Sequence, residues 1–138
     1  MNAPINRDFQ FVTQKFKPGH RGVDLRCVDD KTHKNLDVCA TEKSELIRQG
    51  VDGYGNHYMV LKPLENSGLT DIKYIHLEAT AYKIGTVFEA GEAFAKCSLG
   101  GNSPSLHLHF ETWFNNKPLD PLVYLGRMNI EYKIKPGA

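Results

Sequence analysis

The segment that decides the fold is Leu106-His107-Leu108-His109-Phe110-Glu111-Thr112-Trp113, in which apolar and polar side chains alternate almost strictly. Successive side chains of a β-strand point to opposite faces of a sheet, so this period of two predicts a strand with one face in the core. We expect Leu108 and Phe110 to pack inward. The two imidazoles and Glu111 then share the opposite face.

Other segments extend this prediction along the chain. Strand-forming runs also occupy residues 57–61 and 72–77, and turn-forming residues recur about every eight to twelve positions. No long segment shows the helical period, so we expect a mostly β, antiparallel fold. Residues 41–50 are ambiguous, because a helix-starting threonine, good helix formers and a closing glycine favour a short helix while a strand is also compatible.

The composition is that of an ordinary globular chain. It has 138 residues, 17 basic and 16 acidic side chains, a net charge of +1 and 41% hydrophobic residues. A chain of this length buries roughly 68% of the surface that its unfolded form exposes, so we expect a single domain over residues 1–138. The near-neutral charge argues against a nucleic-acid partner. The lack of ~18 consecutive apolar residues argues against membrane insertion.

The start of the chain and its cysteines bear on the compartment. Residues 1–8 show no basic end followed by the apolar stretch of ~7–15 residues that marks a secretory signal. The sequence therefore predicts synthesis in the cytoplasm without a visible signal peptide. Cys27, Cys39 and Cys97 are odd in number and contain no Cys-x-x-Cys pair. We expect buried or free thiols rather than disulfides or a cysteine zinc site.

Two histidine-bearing motifs have spacing that suits a metal ion. His20 and Asp24 stand four apart around Gly22, which lets the backbone turn, so both side chains can reach one ion. His107 and His109 project from one sheet face. Neutral imidazole and carboxylate suit Zn²⁺, and a catalytic zinc takes three protein ligands while keeping a fourth position for water. His20, Asp24 and one histidine of the pair would supply this set.

A third motif, Tyr74-Ile75-His76-Leu77, also alternates. We expect Tyr74 and His76 to share one face while Ile75 and Leu77 enter the core. A lone histidine is more often a surface or satisfied core residue than a functional one. Hydrolysis at a metal nevertheless needs groups that take a proton from water and stabilise an oxyanion. The histidines outside the ligand set are candidates for these tasks.

Together the motifs resemble those of the lysostaphin-like zinc metallopeptidases, endopeptidases that cut the peptide part of bacterial peptidoglycan. That family shows His-x-x-x-Asp early, Tyr-x-His-Leu near the middle and His-Leu-His-Phe-Glu late, and the resemblance is strongest over residues 11–125. It implies an antiparallel sheet with an open substrate groove, and it favours a strand over residues 45–49. The implied site consists of the metal ligands His20, Asp24 and His109, the catalytic His76 and His107, and one Zn²⁺ per chain.

Two further residues are candidates for the implied site. Glu111 could orient an imidazole from behind, with an ion-paired surface carboxylate as the equally weighted alternative. Tyr74 could line the groove and bind substrate, with half-buried sheet packing as the alternative. We expect His107 to be the general base and His76 to orient the water or stabilise the oxyanion, although these two roles are interchangeable on the sequence alone.

The sequence therefore predicts a zinc endopeptidase that hydrolyses stem-peptide cross-links or interpeptide bridges of peptidoglycan. The alternative is a non-catalytic cell-wall-binding protein, or a structural component of a phage tail or virion, that retains the metal site. Residues 11–20 look most like phage-encoded versions, which predicts tail or virion partners and a lysis route to the cell wall. Departures from the family pattern at residues 27–46 and 99–105 are expected to alter the groove edge and substrate preference.

Overall fold

The computed structural model describes residues 3–5, 11–29, 31–65, 67–98 and 107–138, so the departure at residues 99–105 and Leu106 lie outside the described residues. Within these ranges the chain is mostly β-strand with one short helix, which confirms the predicted fold class. The elements in chain order are β1 (Phe11–Gln14), β2 (Val23–Arg26), β3 (Asp37–Cys39), β4 (Ser44–Val51), β5 (His57–Pro63), β6 (Asp71–Leu77), β7 (Val87–Phe88), β8 (Ala93–Lys96), β9 (His107–Phe114), β10 (Lys117–Leu119), α1 (Pro121–Gly126) and β11 (Lys133–Ile134).

The sheet brings distant parts of the chain side by side. Nine of the described strands form one sheet in the order β11-β1-β2-β9-β6-β5-β4-β7, with β10 paired to β9, while β3 and β8 form a separate pair. β1 and β11 pair in parallel, whereas β9 pairs antiparallel with both β2 and β6. The late histidine strand therefore lies between the strand that carries Asp24 and the strand that carries His76.

Most of the ambiguous segment at residues 41–50 belongs to a strand, β4 (Ser44–Val51), as the family resemblance favours. β4 pairs with β5 along its length and with β7 on its other side. Leu46 on this strand is fully buried. Pairing and burial on the sheet override the local helix signal, because helix propensity is a weak preference that tertiary packing outweighs.

The register across the three central strands shows which side chains share a face. Val23 on β2, Phe110 on β9 and Tyr74 on β6 are aligned, and all three are fully buried. The next row contains Asp24 and His109, which therefore point to the opposite face. As predicted, the apolar residues of β9 pack inward behind its histidines.

The prediction that Tyr74 shares a face with His76 is wrong. Tyr74 is fully buried, whereas Ile75, which was expected in the core, is half-buried. The cause is an irregularity in β6: His57 pairs with Leu77 and Tyr58 pairs with Ile75, so His76 is an extra residue with a φ of 73°. One extra residue shifts the alternation of a strand by one position. His76 thereby leaves the face that Tyr74 occupies.

The prediction of free thiols is wrong for two of the three cysteines. Cys27 and Cys97 form a disulfide, and Cys39 is a buried free thiol. The partners are separated by 70 residues, so no local spacing could reveal the pairing. Cys27 directly follows β2, and Cys97 forms an isolated bridge with Leu77 at the end of β6. The bond therefore ties together the ends of the two strands that flank β9.

The helix α1 begins at a proline and is capped by Asp120, whose carboxylate accepts the backbone N–H of Leu122 at 2.9 Å. This cap satisfies one of the amide groups that a helix start leaves without a partner. α1 has 6 residues, and the described part of the chain contains no helix with the length and apolar character needed to traverse a bilayer.

Loss of the disulfide should destabilise the protein. In a chain-entropy estimate, cross-linking residues 70 apart contributes about 4 kcal/mol by restricting the unfolded chain. A Cys27→Ala/Cys97→Ala double variant should therefore unfold at a lower urea concentration than the wild type. Reductant should destabilise the wild type and a Cys39→Ala control but leave the double variant unaffected. Identical urea midpoints for oxidised and reduced wild-type protein would contradict the assignment.

Candidate metal centre

The candidate site draws its side chains from three neighbouring strands and one turn. Asp24 and His109 are directly opposed on β2 and β9. His20 lies in the turn before β2, and His107 lies on the same face of β9 as His109. His76 reaches this face from β6, and its ring centroid lies 4.7 Å from that of His107 and 6.3 Å from that of His109. The fold thus gathers residues from widely separated parts of the sequence.

Asp24 is the centre of the predicted ligand set. Its Oδ2 lies 3.2 Å from Nε2 of His20, and its Oδ1 lies 2.8 Å from Nδ1 of His109. One ligand atom from each of the three residues can be chosen so that all lie within 4.8 Å of one another. The three side chains are 10–14% exposed. The structure therefore brings the three predicted ligands together at a site that solvent can reach.

The outer nitrogen of each imidazole in this set donates to a fixed acceptor. Nδ1 of His20 lies 2.9 Å from the carbonyl oxygen of Lys15, which can only accept. Nε2 of His109 lies 2.8 Å from Oε2 of Glu111. In neutral His20 the bond to Lys15 keeps the proton on Nδ1 and leaves the lone pair of Nε2 facing Asp24. Both nitrogens of His109 lie 2.8 Å from a carboxylate, so the bond to Glu111 keeps the proton on Nε2 when a metal ion takes the lone pair of Nδ1.

Such an arrangement requires a cation. Two nitrogen lone pairs and a carboxylate at hydrogen-bond distance repel one another unless a proton or a metal ion lies among them. A proton can serve: burial opposes it, but the hydrogen bonds with Asp24 and Glu111 outweigh burial and raise the pKa of His109 to about 9. A divalent cation serves equally by displacing that proton. Two imidazoles and one carboxylate, leaving room for a fourth ligand, fit zinc.

The carboxylate of Asp24 stays ionised in this environment. Burial on its own would raise the pKa of Asp24. The hydrogen bond from His109 and the electrostatic influence of the neighbouring His107, His109 and His20 act in the opposite direction and lower that pKa overall. An ionised carboxylate is the form that ligates a metal.

Glu111 lies behind His109 and is not a surface residue. It is 4% exposed, so the alternative of an ion-paired surface carboxylate is wrong. Its Oε1 accepts Nε1–H of Trp113 at 2.7 Å, and the ammonium of Lys73 lies 4.1 Å from the centroid of the Trp113 ring. Burial raises the pKa of Glu111, but the hydrogen bond from His109 outweighs it and lowers the pKa. Glu111 is therefore an ionised acceptor for Nε2 of His109, one of the candidate ligands.

Tyr74 lies away from the site. It is fully buried, and its hydroxyl accepts the backbone N–H of Thr41 at 3.3 Å. Burial raises the pKa of its phenol well above the ordinary value. The assignment of Tyr74 to substrate binding is therefore wrong, because the irregularity at His76 places Tyr74 in the core.

The two candidate catalytic histidines flank the ligand set. Nε2 of His107 lies 3.7 Å from Oδ2 of Asp24. Nδ1 of His76 lies 2.9 Å from Oδ1 of Asn56. Burial, followed by the neighbouring His107 and His109, lowers the pKa of His76 to about 4, so this imidazole is neutral at neutral pH. The family resemblance extends to residues 53–56, but the sequence assigns Asn56 no role, since 20 residues separate it from His76 and its surroundings indicate only a turn.

Gly22 serves close packing rather than a turn. Its φ lies outside the left-handed region, so other residues could adopt its backbone conformation. A Cβ at this position would lie 2.5 Å from the carbonyl oxygen of Phe110, 2.9 Å from Cγ of Glu111 and 3.1 Å from Nε2 of His109. The absence of a side chain at Gly22 thus makes room for the hydrogen-bonded side chains of Glu111 and His109.

Substitution of Gly22 should damage the metal centre. In Gly22→Ala, the added methyl should displace Glu111 and His109, and we expect zinc affinity to fall about 10- to 100-fold, the usual effect of disturbing the groups behind a ligand. Gly126→Ala is a matched control, because a Cβ there meets no atom within 4 Å. Competition with a chromogenic chelator measures both affinities. Equal zinc affinity in the two variants would contradict the packing role.

Comparisons with known proteins agree with the resemblance seen in the motifs. The chain matches the family model described as Peptidase family M23 over residues 18–121. It is 25% identical over 125 residues to the peptidoglycan DD-endopeptidase ShyB of Vibrio cholerae. That alignment covers 86% of this chain and 29% of ShyB, so the chain spans less than a third of this relative.

Solved structures of two peptidases have a fold similar to that of this chain. The catalytic domain of the antimicrobial peptidase lysostaphin from Staphylococcus simulans superposes with a TM-score of 0.63 at 25% identity, covering 85% of this chain and 91% of that one. A zinc-containing peptidase from Vibrio cholerae gives a TM-score of 0.68 at 22% identity, covering 85% of this chain and 37% of that one.

Proposed function

Because the chain belongs to peptidase family M23, we propose that it is a zinc-dependent endopeptidase that hydrolyses peptide bonds of bacterial cell-wall peptidoglycan. The observation that carries this proposal is the convergence of His20, Asp24 and His109 on one point. These residues would hold one Zn²⁺ per chain. The similarity to ShyB supports peptidoglycan peptides as the substrate class.

The residues around the proposed ligands would carry out proton transfer, orient the water and orient a ligand. A bound zinc ion supplies Lewis acidity, which makes water a better nucleophile and polarises the scissile carbonyl. His107 takes a proton from the attacking water as general base. His76 orients that water or stabilises the oxyanion. Glu111 keeps His109 in the tautomer that can ligate the metal.

The disulfide supports action outside the reducing interior of the cell. Disulfides persist in the periplasm and on cell surfaces and are rare where thiols are kept reduced. The Cys27–Cys97 bond is therefore consistent with a site of action at the cell wall. Delivery by a phage, with tail or virion proteins as partners, stays a prediction from the sequence.

The decisive experiment is digestion of isolated peptidoglycan. Zinc-loaded protein should release fragments with new amino groups from cell walls that carry direct stem-peptide cross-links, from walls with glycine-rich bridges, or from both, and mass spectrometry of the fragments identifies the bond. His20→Ala should abolish release, because it removes a proposed ligand. His33→Asn is a matched control, since His33 is exposed and asparagine tolerates its φ of 57°.

Metal removal provides the second arm of the experiment. A chelator should stop fragment release, and one equivalent of zinc per chain should restore it. Intact walls of both kinds after incubation with protein that demonstrably holds zinc would contradict the proposal. That outcome would favour the non-catalytic alternative of a cell-wall-binding or structural protein.

A further inference from the structure

His76 has an unusual backbone that its surroundings hold in place. Its φ of 73° lies in the left-handed region, which residues with a side chain seldom adopt. Its carbonyl oxygen accepts the backbone N–H of Ser98 at 2.7 Å, and the next residue, Leu77, bridges to Cys97. Strained conformations that the surrounding structure enforces cluster at functional sites. The backbone thus fixes the position from which the side chain of His76 projects. A separate contact must fix the orientation of its imidazole ring.

That contact comes from a buried amide. Asn56 is 3% exposed, and its Oδ1 lies 2.9 Å from Nδ1 of His76. Its Nδ2 lies 3.2 Å from Oδ2 of Asp52. The carboxylate of Asp52 also accepts the backbone N–H groups of Tyr54 and Asn56, at 2.9 and 3.0 Å, through its other oxygen. Three side chains thus form a chain of hydrogen bonds that ends at the candidate catalytic histidine.

The chemistry of the three side chains determines which group donates in each of these hydrogen bonds. Burial raises the pKa of Asp52, but the hydrogen bonds from the backbone of Asn56 and Tyr54 outweigh it and lower the pKa, so the carboxylate is ionised and only accepts. The NH₂ group of Asn56 must therefore face Asp52, and its carbonyl oxygen must face His76. An amide oxygen can only accept, so Nδ1 of His76 carries a proton. In neutral His76 the lone pair is then on Nε2.

We propose that Asn56 is a positioning residue that locks His76 in the Nδ1–H tautomer, so that Nε2 accepts a hydrogen bond from the attacking water. Asp52 acts through Asn56 by holding its amide in the required orientation. The inference rests on the proposed function and chooses between the two roles left open for His76. A neutral imidazole whose Nε2 carries a lone pair has no proton there to donate to an oxyanion. This tautomer therefore assigns His76 to the attacking water rather than to the oxyanion.

The turn itself does not depend on the side chain of Asn56. The backbone hydrogen bonds of residues 52–56 run to Asp52 and to main-chain atoms. Asn56→Ala therefore removes the contact with His76 while retaining the acceptors that close the turn. Asn35→Ala is a matched control, because the side-chain amide of Asn35 likewise makes two hydrogen bonds, but both run from Nδ2 to oxygen acceptors, the Cys97 carbonyl and Glu78.

The first test reads the tautomer directly. Long-range ¹H–¹⁵N correlation spectra of the zinc-loaded protein show which ring nitrogen of His76 carries the proton, and the spectrum of His76→Gln assigns the signals. We expect Nδ1–H in the wild type and in Asn35→Ala, and a loss of that preference in Asn56→Ala. An Nε2–H tautomer in the wild type, or an unchanged tautomer in Asn56→Ala, would overturn the proposal.

The second test measures turnover of a peptidoglycan substrate. Asn56→Ala should lower kcat about 10- to 100-fold, as is usual for groups that orient imidazoles at a metal site, with KM and zinc stoichiometry unchanged. A merely structural role would alter thermal stability and KM together and leave the kcat of the folded fraction intact. That result would overturn the proposal.

Exchanging the carboxylate and the amide between positions 52 and 56 should restore activity to an impaired single variant. Asn56→Asp keeps an acceptor for His76 but sets two carboxylates against each other, so we expect it to be impaired. Adding Asp52→Asn restores a donor towards position 56 and keeps an oxygen for the backbone amides. The double variant should recover most of the lost kcat, and failure to recover would contradict the action of Asp52 through Asn56. If the wild type cleaves no peptidoglycan, the proposed function fails, and the tautomer measurement still decides the positioning role.

Discussion

The candidate site is governed by the mutual repulsion of three electron-rich groups held close together. Two imidazole nitrogens face the carboxylate of Asp24 at 2.8 and 3.2 Å. Hydrogen bonds from the outer nitrogens to Lys15 and Glu111 prevent the rings from turning away. In a site this buried, such groups stay together only around a positive charge. The fold is thereby committed to binding either protons or a metal ion at this point.

The sheet imposes this proximity through its register. Asp24 is aligned with His109 because β2 and β9 pair antiparallel, and Phe110 anchors the same strand in the core one position further on. A slip of one residue would exchange the two faces and bury the histidines. In β6, by contrast, the pairing is irregular. The extra residue turns His76 towards the site while Tyr74 stays in the core. Regular pairing places two of the candidate ligands, Asp24 and His109, and the irregularity in β6 places a catalytic candidate.

Much of this arrangement could be predicted from the sequence because it depends on local pattern. The alternation in residues 107–113 predicts the central strand and the residues that pack behind it, and the histidine motifs point to the side chains that converge. The prediction failed for Tyr74, since strict alternation cannot anticipate an extra residue in a strand. It failed for Cys27 and Cys97 because pairing over 70 residues leaves no local trace. Asn56 was missed for the same reason, since its contact with His76 exists only after β5 and β6 pair.

Anomalous diffraction at the zinc absorption edge, from crystals of the zinc-loaded protein, tests the proposed metal site most directly. We expect a single strong peak within about 2.0–2.2 Å of Nε2 of His20, a carboxylate oxygen of Asp24 and Nδ1 of His109. The outer nitrogens should keep their hydrogen bonds to Lys15 and Glu111. A peak at another place, or ligation through a different set of residues, would contradict the account.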